Sequence, residues 1–417
     1  MYIQVTAPGR LSGRALLPAS KSISNRALVI NTLAGNDTPP ENVSNCDDTN
    51  VMLRWLAERP SVIDIGAAGT AMRFSTALLA VGEGEHVITG SERMKHRPIG
   101  VLVNALRHLG ATIEYQKQEG FPPLRIIGKS RLAGGEITLP GNVSSQYVSA
   151  LLMIGPVLDK GLRLVLTDEV VSRPYINMTL AMMREFGAKA EWESDQIIKV
   201  ESGAYCQRRY FVENDWSAAS YWYEMVALAE DDNAAIVLPG LFADSLQGDS
   251  RGAELFRLLG VDTSLDEQGD VKIMKKGKAI SFLDADFVAM PDLAQTFAVT
   301  CCMLGVPFHF RGLRSLRIKE TDRIQALETE LAKLGYLLED RNDSELLWNG
   351  RHSAMRPDVA IDTYEDHRMA MAFAPAALRI GSISINNPEV VSKSYPHFWK
   401  ALCAVGFTIE EKGGAEA

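Results

Sequence analysis

Ser315-Leu316-Arg317-Ile318-Lys319-Glu320-Thr321-Asp322-Arg323 runs directly into Ile324-Gln325-Ala326-Leu327, and the amphipathic run continues to Leu334-Gly335. Five of the nine leading residues are charged, and they sit where a helix is expected to begin. Thr321 is the expected N-cap, with Asp322 in the first turn. Lys319 and Arg323 then flank the helix mouth, where unsatisfied N–H groups and the dipole favour an anion. At the far end Gly335 has the character of a C′ residue, which closes a helix and turns the chain into a strand. A solvated charged helix start would read the same way in isolation. What decides between them is that the pattern recurs.

Amphipathic segments closing on glycine appear at Ile99–Gly110, Asn177–Gly187, Arg251–Gly260, Thr321–Gly335 and His397–Gly406, with strands expected next, as in residues 111–115 and 188–192. The closing glycines lie 77, 73, 75 and 71 residues apart. Asp47–Ala57 is a sixth copy without its glycine. A second pattern alternates with the first: a polar start, a helix rich in Ala, Ser and Met, then a β-branched strand. Its members begin near Lys21, Thr70, Ser144, Ser217, Asp292 and His367. Such helices are apolar nearly all round and are expected to be buried, so each has its start as its polar end. Six units of about seventy residues use the whole chain. The expected architecture is α/β (α+β), with six β-α-β-α-β-β units grouped three and three into two similar domains. One continuous α/β sheet is the competing plan, but no GxGxxG or GxxxxGK[ST] supports a nucleotide site.

The chain's 417 residues suffice for two or three domains with substantial cores. With 52 acidic against 43 basic side chains the net charge is −9, which argues against a nucleic-acid-coating surface. The five cysteines, Cys46, Cys206, Cys301, Cys302 and Cys403, lack metal-ligand spacing, and the seven histidines form no HxxxH pair. No metal site is expected. The first residues lack a secretory pattern and no apolar run approaches 18 residues, so a reduced cytoplasmic protein with no membrane partner is expected.

Several element starts carry more polar groups than capping requires. Leu17-Pro18-Ala19-Ser20-Lys21-Ser22-Ile23-Ser24-Asn25-Arg26 enters the first buried helix, with Ser20 as a possible cap. Gly66-Ala67-Ala68-Gly69-Thr70-Ala71-Met72-Arg73 is a small-residue turn that lets backbone approach a ligand. Arg93-Met94-Lys95-His96-Arg97-Pro98 puts four basic or imidazole residues in five positions. Gly141-Asn142-Val143-Ser144-Ser145-Gln146 offers four hydrogen-bonding side chains where one is enough. Ser172-Arg173-Pro174-Tyr175 precedes another helix, whereas Asp215-Trp216-Ser217 reads as structural capping. Asp292 starts a buried helix, where a cap is the plain alternative, and Asp292 and Glu320 are the acid–base candidates. Tyr364-Glu365-Asp366-His367-Arg368 and Lys393 complete the set. Lys21, Arg26, Arg97, Lys319, Arg323, Arg368 and Lys393, placed alike in an acidic chain, point to a multiply anionic small ligand.

In these motifs the chain resembles the 5-enolpyruvylshikimate-3-phosphate (EPSP) synthase family, in order from about Leu17 to Tyr395. The carrying segments are Lys21-Ser22-Ile23-Ser24-Asn25-Arg26, Gly69-Thr70-Ala71-Met72-Arg73, Arg97-Pro98-Ile99-Gly100, Ser144-Ser145-Gln146, Lys319-Glu320-Thr321-Asp322-Arg323 and Asp366-His367-Arg368-Met369-Ala370-Met371. The resemblance implies two domains of three β-α-β-α-β-β units, with the active site in the interdomain cleft. It assigns residues 1–20 and 244–417 to one domain and 21–243 to the other, the second crossover falling near Leu238–Asp249. It implies that phosphoenolpyruvate is held by Lys21, Gly69, Arg97, Gln146, Arg323, Arg368 and Lys393. Shikimate 3-phosphate would be held by Ser22, Arg26, Ser144, Ser145, Gln146, Ser172, Tyr175, Asp292 and Lys319.

The implied reaction joins the shikimate 5-hydroxyl to C2 of phosphoenolpyruvate and releases phosphate, in the pathway to chorismate and the aromatic amino acids. Asp292 would be the base on the hydroxyl, and Glu320 with Lys21 the proton donor to C3. No cofactor is implied, a monomer is expected, and glyphosate is the expected inhibitor. The chain departs from the family pattern at Ala67 (usually Asn), at Phe74 (commonly Pro) and in a shorter segment between Asp47 and Gly66. The enolpyruvyl transferases acting on UDP-N-acetylglucosamine are similar in fold, but they use a mobile-loop cysteine and lack the Lys-Glu-Thr-Asp-Arg set. A silent anion-binding protein on the same scaffold is the non-enzyme alternative.

Overall fold

The computed structural model describes residues 2–357 and 359–412. The chain divides into a split unit, Met1–Pro18 with Asn214–Ala417, and an inserted unit, Ala19–Glu213. The inserted unit contains helices α1 (Lys21–Leu33), α2 (Asp47–Glu58), α3 (Gly69–Val81), α4 (Gly100–His108), α5 (Ser145–Ile154) and α6 (Arg173–Glu185). The split unit contains α7 (Trp216–Leu228), α8 (Gly252–Leu258), α9 (Ala294–Leu304), α10 (Arg323–Lys333), α11 (His367–Phe373), α12 (Ala377–Ile380) and α13 (Phe398–Ala404).

The closing glycines act as their spacing predicts. Gly110, Gly187, Gly260, Gly335 and Gly406 all have φ between +86° and +105°, open to glycine without a Cβ penalty. After α4, α6, α10 and α13 the glycine N–H and the next N–H reach back to the last-turn carbonyls, as Gly110 does to Arg107 and Ala111 to Leu106. This double bond satisfies carbonyls a helix end would otherwise leave unpaired. The sixth copy solves the same problem differently. Arg59 ends α2 in the left-handed region at φ 47°, ψ 52°, a conformation that costs a non-glycine residue about 1 kcal/mol or more.

The alternating helices are buried as expected. All thirteen residues of α3, all thirteen of α7 and all seven of α11 are buried. Two of their threonine hydroxyls bond back one turn, Thr76 to the Met72 carbonyl and Thr300 of α9 to that of Thr296.

Among the described residues, each of the five four-stranded sheets repeats one plan: a parallel pair followed by two antiparallel pairings. In the inserted unit, strand Val62–Asp64 pairs parallel with Glu85–Thr89 across α3, and Gly135–Pro140 with Leu162–Thr167 across α5. In the split unit, Leu283–Asp286 pairs parallel with Phe308–Arg311 across α9, and Ala360–Ile361 with Ser382–Asn386 across α11. A parallel pair needs such a crossover, and a buried helix supplies it. Among the described residues the inserted unit has two such sheets; its third position holds only an isolated parallel bridge, Glu41 with Phe211.

The remaining sheet explains the division of the chain. Ser12–Arg14 pairs parallel with Ala235–Leu238, and the whole inserted unit leaves and returns between those two strands. The return falls at Glu213–Asn214, not near residue 243 as the resemblance implied, and the departure falls after Pro18 instead of residue 20. The reason is that α7 and strand Ala235–Leu238 are core of the split unit: Trp222, Tyr221, Met225, Ile236 and Leu238 are all fully buried there. The N-terminal strand Tyr2–Thr6 also belongs to the split unit, lying between Ser382–Asn386 and Thr408–Lys412 and antiparallel to both.

Candidate active site

In the split unit the charged residues converge on two arginines. Arg323, the first residue of α10, is 1% exposed, yet it meets three carboxylates. Its Nε donates to Asp366 at 2.6 Å, Nη1 to Asp292 at 2.9 Å and Nη2 to Glu320 at 2.9 Å. Burial alone would lower its pKa; Asp366, Glu320 and Asp292 outweigh that, and the net shift is upward. Arg368, near the start of α11, donates to Asp292 Oδ2 at 3.0 Å, to Ser217 Oγ at 3.2 Å and to the Tyr221 hydroxyl at 3.3 Å. Its pKa is likewise raised well above the ordinary value: burial opposes the shift, and Asp292 leads the groups that drive it. Lys319 Nζ stands 3.5 Å from Asp292 Oδ1.

Asp292 therefore takes cations on both oxygens. It lies in a single 3-10 turn, Pro291–Leu293, and is the N-cap residue neither of that turn, which is Met290, nor of α9, which is Leu293. The expected cap of α10 is also corrected. Asp322, not Thr321, is the N-cap: its Oδ1 accepts from the Gln325 N–H at 3.1 Å, and the carboxylate also accepts from Arg317 at 2.9 Å. A carboxylate at that position satisfies a helix N–H and an arginine at once, which a threonine hydroxyl cannot match. This puts Lys319 and Glu320 just ahead of the helix, following the short turn Arg314–Ile318. Lys393 donates to the Glu365 carbonyl at 2.8 Å.

In the inserted unit a second group forms. Ser20 caps α1 by accepting from Ile23 N–H, and Lys21 and Ser22 are the first two helical residues. Arg26, one turn on, is 2% exposed and donates to Thr179 at 2.7 Å, Ser149 at 3.0 Å and the Ser22 carbonyl at 2.8 Å. Its guanidinium lies 5.3 Å from the Phe74 ring centre and 5.9 Å from that of Tyr175, and burial lowers its pKa to about 10. Phe74 thus has a positive use here: it continues α3 without the break a proline would make and lays an aromatic face under Arg26.

Gly69 opens α3 beside two more arginines. Its carbonyl accepts from Arg73 at 2.9 Å, and a methyl built on it would lie 2.7 Å from Arg97 Nη1. Ser144 caps α5, Ser145 is its first residue, and Gln146 donates to Thr70 at 3.1 Å, tying the starts of α3 and α5 together. Ser172, the N-cap residue of α6, is buried with φ 55°, ψ 36°. A serine held in the left-handed region marks a position where the surroundings dictate the backbone.

Four participants carry no sequence signal of their role. Asp366 stands in a charged motif but gains its part only by meeting Arg323, and Ser217 has the pattern of a capping residue. Asp249 is buried, and its pKa is pushed up to about 7 by burial first and by the Asp292 charge second. Gln247-Gly248-Asp249 carries no pattern that would single it out. Tyr221 hides on a helix that is apolar nearly all round.

Solved structures share this architecture. An EPSP synthase from Acinetobacter baumannii matches with a TM-score of 0.78 at 22% identity, covering 99% of this chain and 100% of that one. The enolpyruvyl transferase NikO from Streptomyces tendae matches at 0.75 and 15% identity, covering 98% of each chain. The fold is that of the enolpyruvyl transferases. Sequence carries the assignment further. The family model for EPSP synthase (3-phosphoshikimate 1-carboxyvinyltransferase) matches residues 5–60 and 55–402. The 3-phosphoshikimate 1-carboxyvinyltransferase of Bacteroides fragilis is 59% identical, covering 98% of this chain and 99% of that protein. Its counterpart from Shewanella pealeana is 36% identical, covering 94% and 96%. The chain belongs to the EPSP synthase family, and it is a transferase of the shikimate pathway. No helix among the described residues is long and apolar enough to cross a membrane.

Proposed function

We propose that this protein transfers the enolpyruvyl group of phosphoenolpyruvate to the 5-hydroxyl of shikimate 3-phosphate through the residues gathered at these helix starts. The observation that carries the reading is the cluster of Asp292, Glu320 and Asp366 around Arg323 and Arg368. The two substrates are polyanions, and like charges about 4 Å apart repel by about 4 kcal/mol at intermediate dielectric, so their encounter needs a dense set of cations. Lys21, Gly69, Arg97, Gln146, Arg323, Arg368 and Lys393 take phosphoenolpyruvate in this reading. Ser22, Arg26, Ser144, Ser145, Gln146, Ser172, Tyr175, Asp292 and Lys319 take shikimate 3-phosphate.

In the free protein both oxygens of Asp292 are engaged, Oδ1 by Arg323 and Lys319 and Oδ2 by Arg368. Substrate phosphate and carboxylate groups compete for those cations and free a carboxylate oxygen to meet the hydroxyl. Asp292 then accepts the proton of the 5-hydroxyl as that oxygen bonds to C2 of phosphoenolpyruvate. Glu320, with Lys21, delivers a proton to C3, giving a tetrahedral intermediate. Loss of phosphate from C2, with return of a proton from C3, leaves the enolpyruvyl ether. Phosphate is the leaving group, so the chain's own acids, bases and cations suffice for each step. All five cysteines are free thiols, which supports a reducing, cytoplasmic setting, and the reading takes the protein as a monomer. Mixing the two substrates with the protein should release one phosphate per enolpyruvyl ether formed; no phosphate above a substrate-omitted control would leave only an anion-binding protein.

A further inference from the structure

The geometry points to Glu330 as a positioning residue that, through the Tyr364 hydroxyl, sets the loop presenting Lys393 and Asp366 to the substrate. Glu330 is completely buried on α10, seven residues and so two turns beyond Arg323 on the same helix face. Its Oε1 accepts from the Tyr364 hydroxyl at 2.6 Å, and its Oε2 accepts from the Asp362 N–H at 3.0 Å and Lys333 Nζ at 2.7 Å. A buried carboxylate used by three donors on one short segment and its own helix is a fixed anchor. The segment needs one. Tyr364 and Glu365 are consecutive non-glycine residues with φ of 53° and 56°, a conformation the chain does not hold without outside restraint.

The residues at and just after that kink belong to the active site. The Glu365 carbonyl accepts from Lys393 at 2.8 Å. Asp366 accepts from Arg323 at 2.6 Å and caps α11 through the Arg368 N–H at 2.9 Å. Helix α10 thus grips the loop twice, by Glu330 at Asp362 and Tyr364 and by Arg323 at Asp366. Releasing the first grip lets the backbone at Tyr364 and Glu365 relax and moves the oxygen that aims Lys393.

The inference rests on Lys393 holding phosphoenolpyruvate, so the experiment tests that assignment alongside it. Steady-state constants for both substrates are measured for Tyr364→Phe, Glu330→Gln, Lys393→Ala and the double variant Tyr364→Phe/Lys393→Ala, with melting temperatures recorded. Tyr364 is 37% exposed, so phenylalanine removes a hydroxyl without opening a cavity, and this variant serves even if Glu330→Gln fails to fold. Tyr364→Phe is expected to raise KM for phosphoenolpyruvate by about three- to tenfold, the scale of one lost hydrogen bond, with kcat and the shikimate 3-phosphate KM within about twofold. In the Lys393→Ala background the same change should have less than about a twofold effect. An unchanged phosphoenolpyruvate KM in Tyr364→Phe, or an effect fully retained without Lys393, overturns the positioning role. If Lys393→Ala itself leaves that KM unchanged, the assignment of Lys393 falls first and the positioning role falls with it.

Discussion

Arg323 meets Asp292, Glu320 and Asp366 at once, so removing any one carboxylate leaves the arginine paired but alters what it offers a ligand. Asp292→Ala and Glu320→Ala are each expected to lower turnover by roughly two to four orders of magnitude, the range for losing an acid–base group. Their binding effects should differ. Asp292 faces three cations and the proposed hydroxyl, so its loss should also weaken shikimate 3-phosphate. Glu320→Ala removes a negative charge beside an anionic ligand and should leave affinity equal or tighter. Calorimetry and single-turnover quenching on both variants separate these effects, and normal turnover in Glu320→Ala would transfer the proton donor's role to Lys21.

Gly69 makes a second residue-scale prediction. A methyl there would meet Arg97 Nη1 at 2.7 Å and Cζ at 3.1 Å, so the guanidinium must shift. Displacing a charge-assisted contact of about 1.5–3 kcal/mol should raise the phosphoenolpyruvate KM by roughly tenfold or more for Gly69→Ala and weaken glyphosate inhibition, with shikimate 3-phosphate little affected. Inhibition kinetics at fixed shikimate 3-phosphate check both. The charged members of the site were legible because a helix start crowded with lysine and arginine has few structural reasons to exist. Ser217 and Asp249 were not, because a buried serine and a lone aspartate look the same whether they serve folding or an arginine.

At the scale of elements, the repeats were legible for a physical reason: a helix that must turn sharply into a strand needs a left-handed residue, and glycine adopts that conformation freely. What spacing could not locate was the second crossover. Strands Ser12–Arg14 and Ala235–Leu238 pair across an insertion of nearly two hundred residues, and no local pattern records which distant strand a strand joins. Arg59 shows the same rule by its exception. Arg59→Gly keeps the left-handed turn while removing the Cβ clash, so it should stabilise the protein by up to ~1 kcal/mol. Gly110→Ala, by placing a Cβ at φ 105°, should destabilise by a similar amount. Urea unfolding of the two variants against the parent should give midpoint shifts of opposite sign; a destabilised Arg59→Gly would mean the arginine makes contacts worth more than the strain.

For the whole molecule, the proposed phosphoenolpyruvate ligands are divided by the chain's own architecture. Lys21, Gly69, Arg97 and Gln146 belong to the inserted unit, and Arg323, Arg368 and Lys393 to the split unit. A small molecule held by both sets leaves little freedom between them. Small-angle scattering is therefore expected to show a smaller radius of gyration with shikimate 3-phosphate and a phosphoenolpyruvate-competitive inhibitor bound than without them. An unchanged radius would count against a ligand-driven closure.

The strand Tyr2–Thr6 has a consequence for how a cell makes this protein. Its neighbours on both sides, Ser382–Asn386 and Thr408–Lys412, leave the ribosome roughly 380 residues later, a delay of about 20–80 s at ~5–20 residues per second. During that interval Ile3 and Val5, both buried in the finished sheet, have no strand to cover them. The inserted unit ends at Glu213 and is expected to fold meanwhile. Ribosomes stalled at about residue 260 should therefore carry a protease-resistant fragment spanning residues 19–213, while residues 2–6 are clipped. Protection of that strand on the stalled chain would show that something other than its native partners shelters it. Strand Tyr2–Thr6 is thus a stretch of the nascent chain that needs a chaperone's cover until its two partner strands have been made.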